Sequence, residues 1–145
     1  MKSRSNQKRI KNNKTFKRKN NNVNILAFMM TMNDTIKLYH WETRSYSQHK
    51  ATDDLHESLS GLVDNFIEVL LGKLNTRFQI PRSLKLSIPH FNSTSQLIKQ
   101  INYYKTYLIS IESRLPKGMT NPDLLTIRDE MLAQLNKFLY LLTLN

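Results

Sequence analysis

Apolar residues recur at intervals of three and four positions through most of the chain, and this spacing predicts amphipathic helices. Helix A is predicted from about Asn24 to about Trp41, and helix B from about Ser47 to Leu74. The apolar stripe of helix A is Ile25, Met29, Met32 and Ile36. The stripe of helix B is Leu55, Leu59, Leu62, Phe66, Ile67, Leu70 and Leu74, and Gly72 together with the loss of periodicity after Asn75 marks its end.

Two more helices are predicted after a long connection. Residues 77–92 contain two prolines and predict a crossover along a bundle. Ser93 and Gln96 form a capping box at the start of helix C, which ends at Pro116 and Gly118. Helix D opens with Asn121 as the cap, Pro122 at the first helical position and Asp123 in the first turn. The stripe of helix C is Leu97, Ile101, Tyr104, Leu108 and Ile111, and that of helix D is Leu124, Met131, Leu135, Phe138 and Leu142.

No convincing strand or internal repeat accompanies these helices. Four long helices with one long connection between the second and the third favour an all-α, ferritin-like four-helix bundle over a simple up-and-down one. The bundle domain is expected to comprise residues 23–145.

Residues 1–22 differ from the bundle because, apart from Met1, only Ile10 and Phe16 among them are large and apolar. Such a segment buries too little surface to offset the entropy of ordering, so a disordered tail is expected. The tail holds nine of the 22 basic residues and none of the 11 acidic ones, which leaves 13 basic against 11 acidic residues for the bundle. The net charge of +11 therefore belongs mainly to the tail.

Composition also excludes several classes of protein. The chain has no cysteine, which removes disulfides, thiolate metal sites and thiol nucleophiles. No apolar run approaches the roughly 20 residues that cross a bilayer, so a soluble, intracellular protein of the cytoplasm, nucleoid or a virion is expected. A transit peptide remains an alternative interpretation of the basic tail.

Candidate chemistry is concentrated in residues 40–68, which hold three of the four histidines and six of the eleven acidic residues. At 100° per residue, one stripe of helix B collects five potential ligands against a single basic residue, Lys50, on the side opposite the leucines. The potential ligands are His49, Asp53, Glu57, Asp64 and Glu68. A solvated polar face is the simpler interpretation, but such a face would ordinarily mix the two signs of charge.

One helix cannot bring all of these groups to one ion, because Asp53 and Asp64 are roughly 16 Å apart along it. If two copies of helix B pack antiparallel across a two-fold axis, Asp53 of one copy lies beside Asp64 of the other. The spacing thus predicts a metal site shared between subunits. Imidazole and carboxylate ligands suit iron, zinc or manganese, and a zinc or manganese centre without oxidation is an alternative.

The sequence resembles the Dps family of ferritin-like DNA-binding proteins, also called mini-ferritins. The resemblance rests on His40-Trp41, then His49-x3-Asp53, then Asp64-x3-Glu68, a pattern similar to the ferroxidase motif of that family. It extends over about residues 24–145 and is greatest to uncharacterised Dps-like proteins of large DNA viruses.

The resemblance implies a role for each residue. His40, His49 and Asp53 of one subunit, with Asp64 and Glu68 of its two-fold mate, would bind iron, and Glu57 could hold a second ion. Fe(II) would be oxidised there by hydrogen peroxide or dioxygen and stored in a hollow dodecamer, which limits oxidative damage. A hydrogen-bonded core histidine is the alternative for His40, because it lies near the apolar stripe of helix A.

The tail is expected to bind DNA without sequence preference, because flexible cations neutralise phosphates and an oligomer displays many copies. Nuclear targeting and an acidic protein partner are alternatives. A rival function is a non-enzymatic structural or nucleic-acid-packaging protein that retains only the ferritin-like fold. The residues predicted to contact DNA are Lys2, Arg4, Lys8, Arg9, Lys11, Lys14, Lys17, Arg18 and Lys19.

Overall fold

The computed structural model describes the backbone of residues 4–144 and the side chains of residues 21–144. The described residues form four α-helices and one 3-10 helix, with no strand among them. The α-helices are α1 (Arg4–Glu42), α2 (Tyr46–Leu74), α3 (Thr94–Ile109) and α4 (Pro122–Leu141), and the 3-10 helix is Ile111–Arg114. This is the predicted all-α, four-helix architecture with its long connection between the second and third helices.

Helix α1 starts earlier than the apolar spacing predicts. Its bounds begin at Arg4, whereas helix A was predicted from about Asn24. The longer helix includes most of the segment for which disorder was predicted, residues 1–22, and the predicted domain boundary falls inside it. The side chains that the structure describes begin at residue 21. The DNA contacts predicted for the tail therefore involve side chains that lie outside the described ones.

The predicted stripes form the core. All four stripe residues of α1 are fully buried, as are the central residues of the α3 and α4 stripes. In α2, Leu55, Leu59, Phe66 and Leu70 are buried, whereas Leu62, Ile67 and Leu74 are half-buried at the edge of the core. Helix α2 packs against both α1 and α4, and α3 packs against α4. The ring of Phe28 stacks on Tyr107 at 3.5 Å and so joins α1 to α3.

Helix ends agree with the predictions in position but not in every detail. Ser93 caps α3 as predicted and accepts the Gln96 amide at 3.3 Å. Asn121 precedes α4 as predicted, but its side chain makes no cap, and Nδ2 donates to the Met119 carbonyl at 3.3 Å instead. Helix α2 ends at Leu74 as predicted; Gly72 lies within it, and Asn75 follows it in a left-handed conformation.

Polar contacts at the two ends of the bundle fix the path of the connection. At one end, Lys73 of α2 donates to Asp123 of α4 at 2.9 Å. At the other end, Gln48 of α2 donates to the hydroxyl of Thr94 at the start of α3, at 3.2 Å. The connection between α2 and α3 must therefore run the length of the bundle, as predicted for a crossover. Near its end, His90 contacts Glu42 of α1 at 3.1 Å.

Candidate metal centre

The turn from α1 to α2 brings His40 and His49 together. Their rings stack with centroids 3.9 Å apart. Nδ1 of His40 is 3.0 Å from the His49 carbonyl, and Nδ1 of His49 is 3.0 Å from the His40 carbonyl. Each histidine thus closes the turn by bonding to the backbone of the other, and His40 is almost fully buried. The burial and hydrogen bonding of His40 agree with the alternative interpretation, in which it is a hydrogen-bonded core histidine.

These two hydrogen bonds also determine which nitrogen of each ring carries the proton. A carbonyl oxygen can only accept a hydrogen bond, so Nδ1 of each histidine must carry the proton. In a neutral ring, Nε2 then retains its lone pair, which is the form of histidine that ligates metals. Metal-ligating histidines are ordinarily oriented through their second nitrogen in this way. The pair is therefore structural, and these two bonds leave Nε2 of each ring uninvolved.

Asp53 lies next to this pair, one turn after His49 on α2. Its Oδ1 is 3.8 Å from Nε2 of His40, and its side chain is about half exposed. Two atoms bound to one tetrahedral ion with bonds of about 2.1 Å lie roughly 3.4 Å apart, so the separation of 3.8 Å is a few tenths of an ångström wider than that of a bound pair. Lys37 of α1 also approaches Asp53, with its ammonium 3.8 Å from the same oxygen, and offsets the carboxylate charge.

The remaining predicted ligands lie further along α2. Glu57, Asp64 and Glu68 are all exposed, so the polar stripe faces away from the core as predicted. Asp64 is roughly 16 Å and Glu68 roughly 22 Å from Asp53 along the helix. Among the described side chains of one chain, no three histidine or acidic groups are gathered to hold a metal ion. Asp64 and Glu68 could complete the first group only from another copy.

Three further side chains outside the predicted ligand set belong to this region. Thr52 is buried and lies 3.4 Å from Nδ1 of His40, while its hydroxyl donates to the Gln48 carbonyl at 2.7 Å. Lys37 lies three residues before His40 and therefore on the same face of α1. That spacing was the signal from which its position near His40 could have been predicted. His56 is half-buried against α1, with Nε2 3.4 Å from the Asn33 amide.

The predicted DNA-binding side chains, from Lys2 to Lys19, lie outside those that the structure describes. Their role accordingly stays a prediction. No described helix is long and apolar enough to cross a membrane.

Residues 40–142 match a family of unknown function, DUF5856. The chain belongs to this family. The matched region begins at His40 and includes His49, Asp53, Asp64 and Glu68, so all the predicted ligands lie inside it.

The chain also has a relative in a bacteriophage. An uncharacterised 14.6 kDa protein from the mobD-ri intergenic region of enterobacteria phage T4 is similar to this chain. It is 30% identical over 93 residues, which cover 62% of this chain and 73% of the phage protein. No solved structure matches the chain. None of these comparisons concerns the Dps family, so the resemblance to that family rests on the sequence motif alone.

Proposed function

We propose that the protein is a Dps-like mini-ferritin. In this proposal it oxidises Fe(II) at a centre shared by two subunits, stores the iron in a homo-oligomer, and binds DNA through its basic tail. The observation that carries the proposal is the reciprocal bonding of His40 and His49. It directs both Nδ1 protons to the backbone and leaves the Nε2 lone pairs for a metal, with Asp53 beside one of them.

The ligand types support oxidation of iron more than passive binding. Carboxylate oxygens are hard ligands that stabilise Fe(III) over Fe(II), so a site with Asp53 and two acidic residues of a second copy favours loss of an electron. With hydrogen peroxide as the oxidant, two Fe(II) ions give up one electron each, and peroxide with two protons becomes two water molecules. Fe(II) is here the substrate, and the side chains bind it and stabilise the charge of the product.

The outward face of α2 supports association with a second copy. Gly61 is exposed and lies close to the midpoint between Asp53 and Asp64, where two antiparallel copies of α2 would cross. A Cβ atom at Gly61 would meet nothing within 4 Å, so packing within the chain does not require glycine there. Because glycine inside a helix costs about 1 kcal/mol relative to alanine, close approach of another chain gives it a reason.

The proposal is tested by the double variant Asp64→Ala with Glu68→Ala. Fe(II) is added without oxygen, peroxide follows, and the ferric absorbance is recorded. We expect the rate to fall at least tenfold, because the oxygen ligands from the second subunit are lost. A matched control is Glu112→Ala with Glu130→Ala, which removes two exposed acidic residues outside the stripe and should leave the rate unchanged.

An unchanged rate in the Asp64 and Glu68 variant would overturn the ferroxidase assignment. Purified protein without iron and without iron-dependent oxidation would instead favour the non-enzymatic structural or packaging protein.

A further inference from the structure

The small net charge of the bundle hides a strong separation of charge along the chain. Residues 23–68 contain three basic and seven acidic residues, and residues 112–145 contain four of each. Between them, residues 69–111 contain six basic residues and no acidic one. The last turn of α2, the connection and α3 therefore carry a surplus of positive charge separate from that of the tail.

The connection distributes part of this charge along the molecule. It leaves α2 beside the start of α4 and reaches α3 beside the start of α2, as the contacts of Lys73 and Thr94 show. The span from Gln48 to Lys73 of α2 is roughly 38 Å, and the residues between Asn75 and Ser93, whose fully extended reach is roughly 60 Å, must cover it along a partly extended path. Arg77, Arg82 and Lys85 consequently lie in sequence along the bundle.

Most of these cations have no acidic partner. Lys73 pairs with Asp123, with a separation of 2.9 Å. In the part of the chain that the structure describes, no ion pair joins the other five to a carboxylate. We call these five side chains the basic surface: Arg77, Arg82, Lys85, Lys99 and Lys105.

The outward face of α3 adds uncharged contact area to the basic surface. Tyr103 lies one turn after Lys99 and is 57% exposed, and Ile109 is 63% exposed. An exposed aromatic ring beside a cation can stack on a base while the cation contacts a phosphate. The face contains no acidic side chain that would repel a polyanion.

We propose that the basic surface is a second nucleic-acid-binding element, which acts on the phosphate backbone independently of the N-terminal tail. Unpaired cations spread along an extended segment match a linear polyanion, whose contacts are electrostatic and independent of sequence. The inference extends the DNA binding of the proposed function from the tail to the bundle, and it does not depend on iron oxidation.

The other candidate partner of the basic surface is a second copy of this chain, because the stripe of α2 is acidic. That stripe is needed for metal in the proposed function, and lysines docked on it would compete with the ion. The chain as a whole is also strongly basic, so it attracts nucleic acid at long range. These arguments favour nucleic acid.

The test uses the full-length chain with all nine tail cations replaced by glutamine, which removes binding by the tail without shortening the protein. Two triple variants are then made in this background. One is Arg82→Gln, Lys85→Gln and Lys99→Gln, and the matched control is Lys50→Gln, Lys117→Gln and Lys137→Gln, three exposed lysines outside the basic surface. Both lower the net charge equally, and circular dichroism checks that both are folded.

Binding to a labelled 30-base-pair duplex and to a 30-nucleotide single strand is measured over a range of salt. We expect the tail-neutral chain to bind both probes at low salt. The triple variant of the basic surface should lose at least tenfold in affinity, and its salt slope on duplex should fall by about 2.7, or 0.9 for each lost contact. The control triple should change affinity less than threefold.

Three results would overturn the proposal. The tail-neutral chain could fail to bind, both triples could lose affinity equally, or the first triple could alter the oligomeric mass while leaving binding unchanged, which would identify a self-association surface. The tail is judged separately: if the tail-neutral chain binds as tightly as the natural one, the tail contributes nothing, whatever the basic surface does. Iron oxidation is measured on the same proteins and is independent of each result.

Discussion

At the scale of single residues, the proposed function gives His40 and His49 two tasks that are usually assigned to different side chains. Their Nδ1 atoms hold the α1–α2 turn through the two carbonyls, and their Nε2 atoms remain available for chemistry. In the proposed centre, the cost of immobilising the rings would thus be met by the fold before an ion binds.

His56 should make stability depend on pH. Its pKa is lowered from the ordinary value of 6.5, first by burial and then by the positive charge of Lys37. Asp34 and Asp53 oppose this shift, and His40 adds to it. As the pH falls through about 6.5, the unfolded chain takes up a proton before the folded one does, so the stability contributed by neutral His56 is lost below that pH.

We therefore expect His56→Gln, which keeps a polar group beside Asn33 but cannot titrate, to lose less stability on acidification. The measurement is the urea midpoint of unfolding at pH 7.5 and at pH 5.0 for both proteins. The natural chain should show the larger fall. Equal falls would mean that His56 does not cause the acid sensitivity.

The sequence predicts only part of the candidate site, and the reason is the range of the interactions. His49 and Asp53 follow from helical spacing, because residues four apart share a face. The stacking of His40 on His49 depends on how the turn folds, and the approach of Lys37 to Asp53 depends on the packing of α1 on α2. Such tertiary contacts leave no periodic signal in the sequence.

At the scale of helices, the end of α2 depends on one unusual backbone conformation. Asn75 has a φ of 47°, its amide donates to the Gly72 carbonyl, and the Thr76 amide donates to Leu71. This is a Schellman arrangement, in which a left-handed residue satisfies the last carbonyls of a helix. It directs the chain from α2 into the connection.

Substitutions at Asn75 should separate backbone from side-chain effects. Asn75→Gly should leave the free energy of unfolding unchanged or raise it slightly, because glycine adopts positive φ without strain. Asn75→Val should lower it by about 1–2 kcal/mol, because a β-branched residue is disfavoured there. Urea denaturation provides the measurement, and a Val variant as stable as the Gly variant would contradict this account of the helix end.

Helices and their buried faces could be predicted because both arise from local periodicity, and every stripe residue of α1, α3 and α4 is buried. The start of α1 at Arg4 could not be predicted from the sequence, because no change in apolar spacing marks it. The end of α3 was also misplaced. The α-helix stops at Ile109 and continues as a 3-10 turn to Arg114, so the proline and glycine that follow are not its direct terminators.

At the scale of the whole molecule, Gly61 offers a test of how copies associate. Gly61 and Gly72 are both exposed glycines of α2 with nothing within 4 Å of an added Cβ atom, but only Gly61 lies at the proposed crossing. We expect Gly61→Leu to reduce the oligomeric mass, because the side chain would separate two α2 helices. Gly72→Leu should leave it unchanged. Sedimentation velocity measures both, and equal masses for the two variants would place the contact elsewhere.

The proposed shared site makes a further prediction, which separates it from any site within one subunit. One variant, His49→Ala with Asp53→Ala, lacks the first half of the site, and another, Asp64→Ala with Glu68→Ala, lacks the second. Each alone should be inactive in Fe(II) oxidation. If the two are unfolded and refolded together in equal amounts, half of the two-fold pairs contain one copy of each variant.

In such a mixed pair, one site receives both intact halves and the other receives both damaged halves. Random mixing should therefore restore about a quarter of the natural rate per subunit. Variants that are refolded separately and combined afterwards serve as the control, and they should stay inactive if subunits exchange slowly. A site built within one chain would give no recovery under any mixing scheme, because every chain would carry a damaged half.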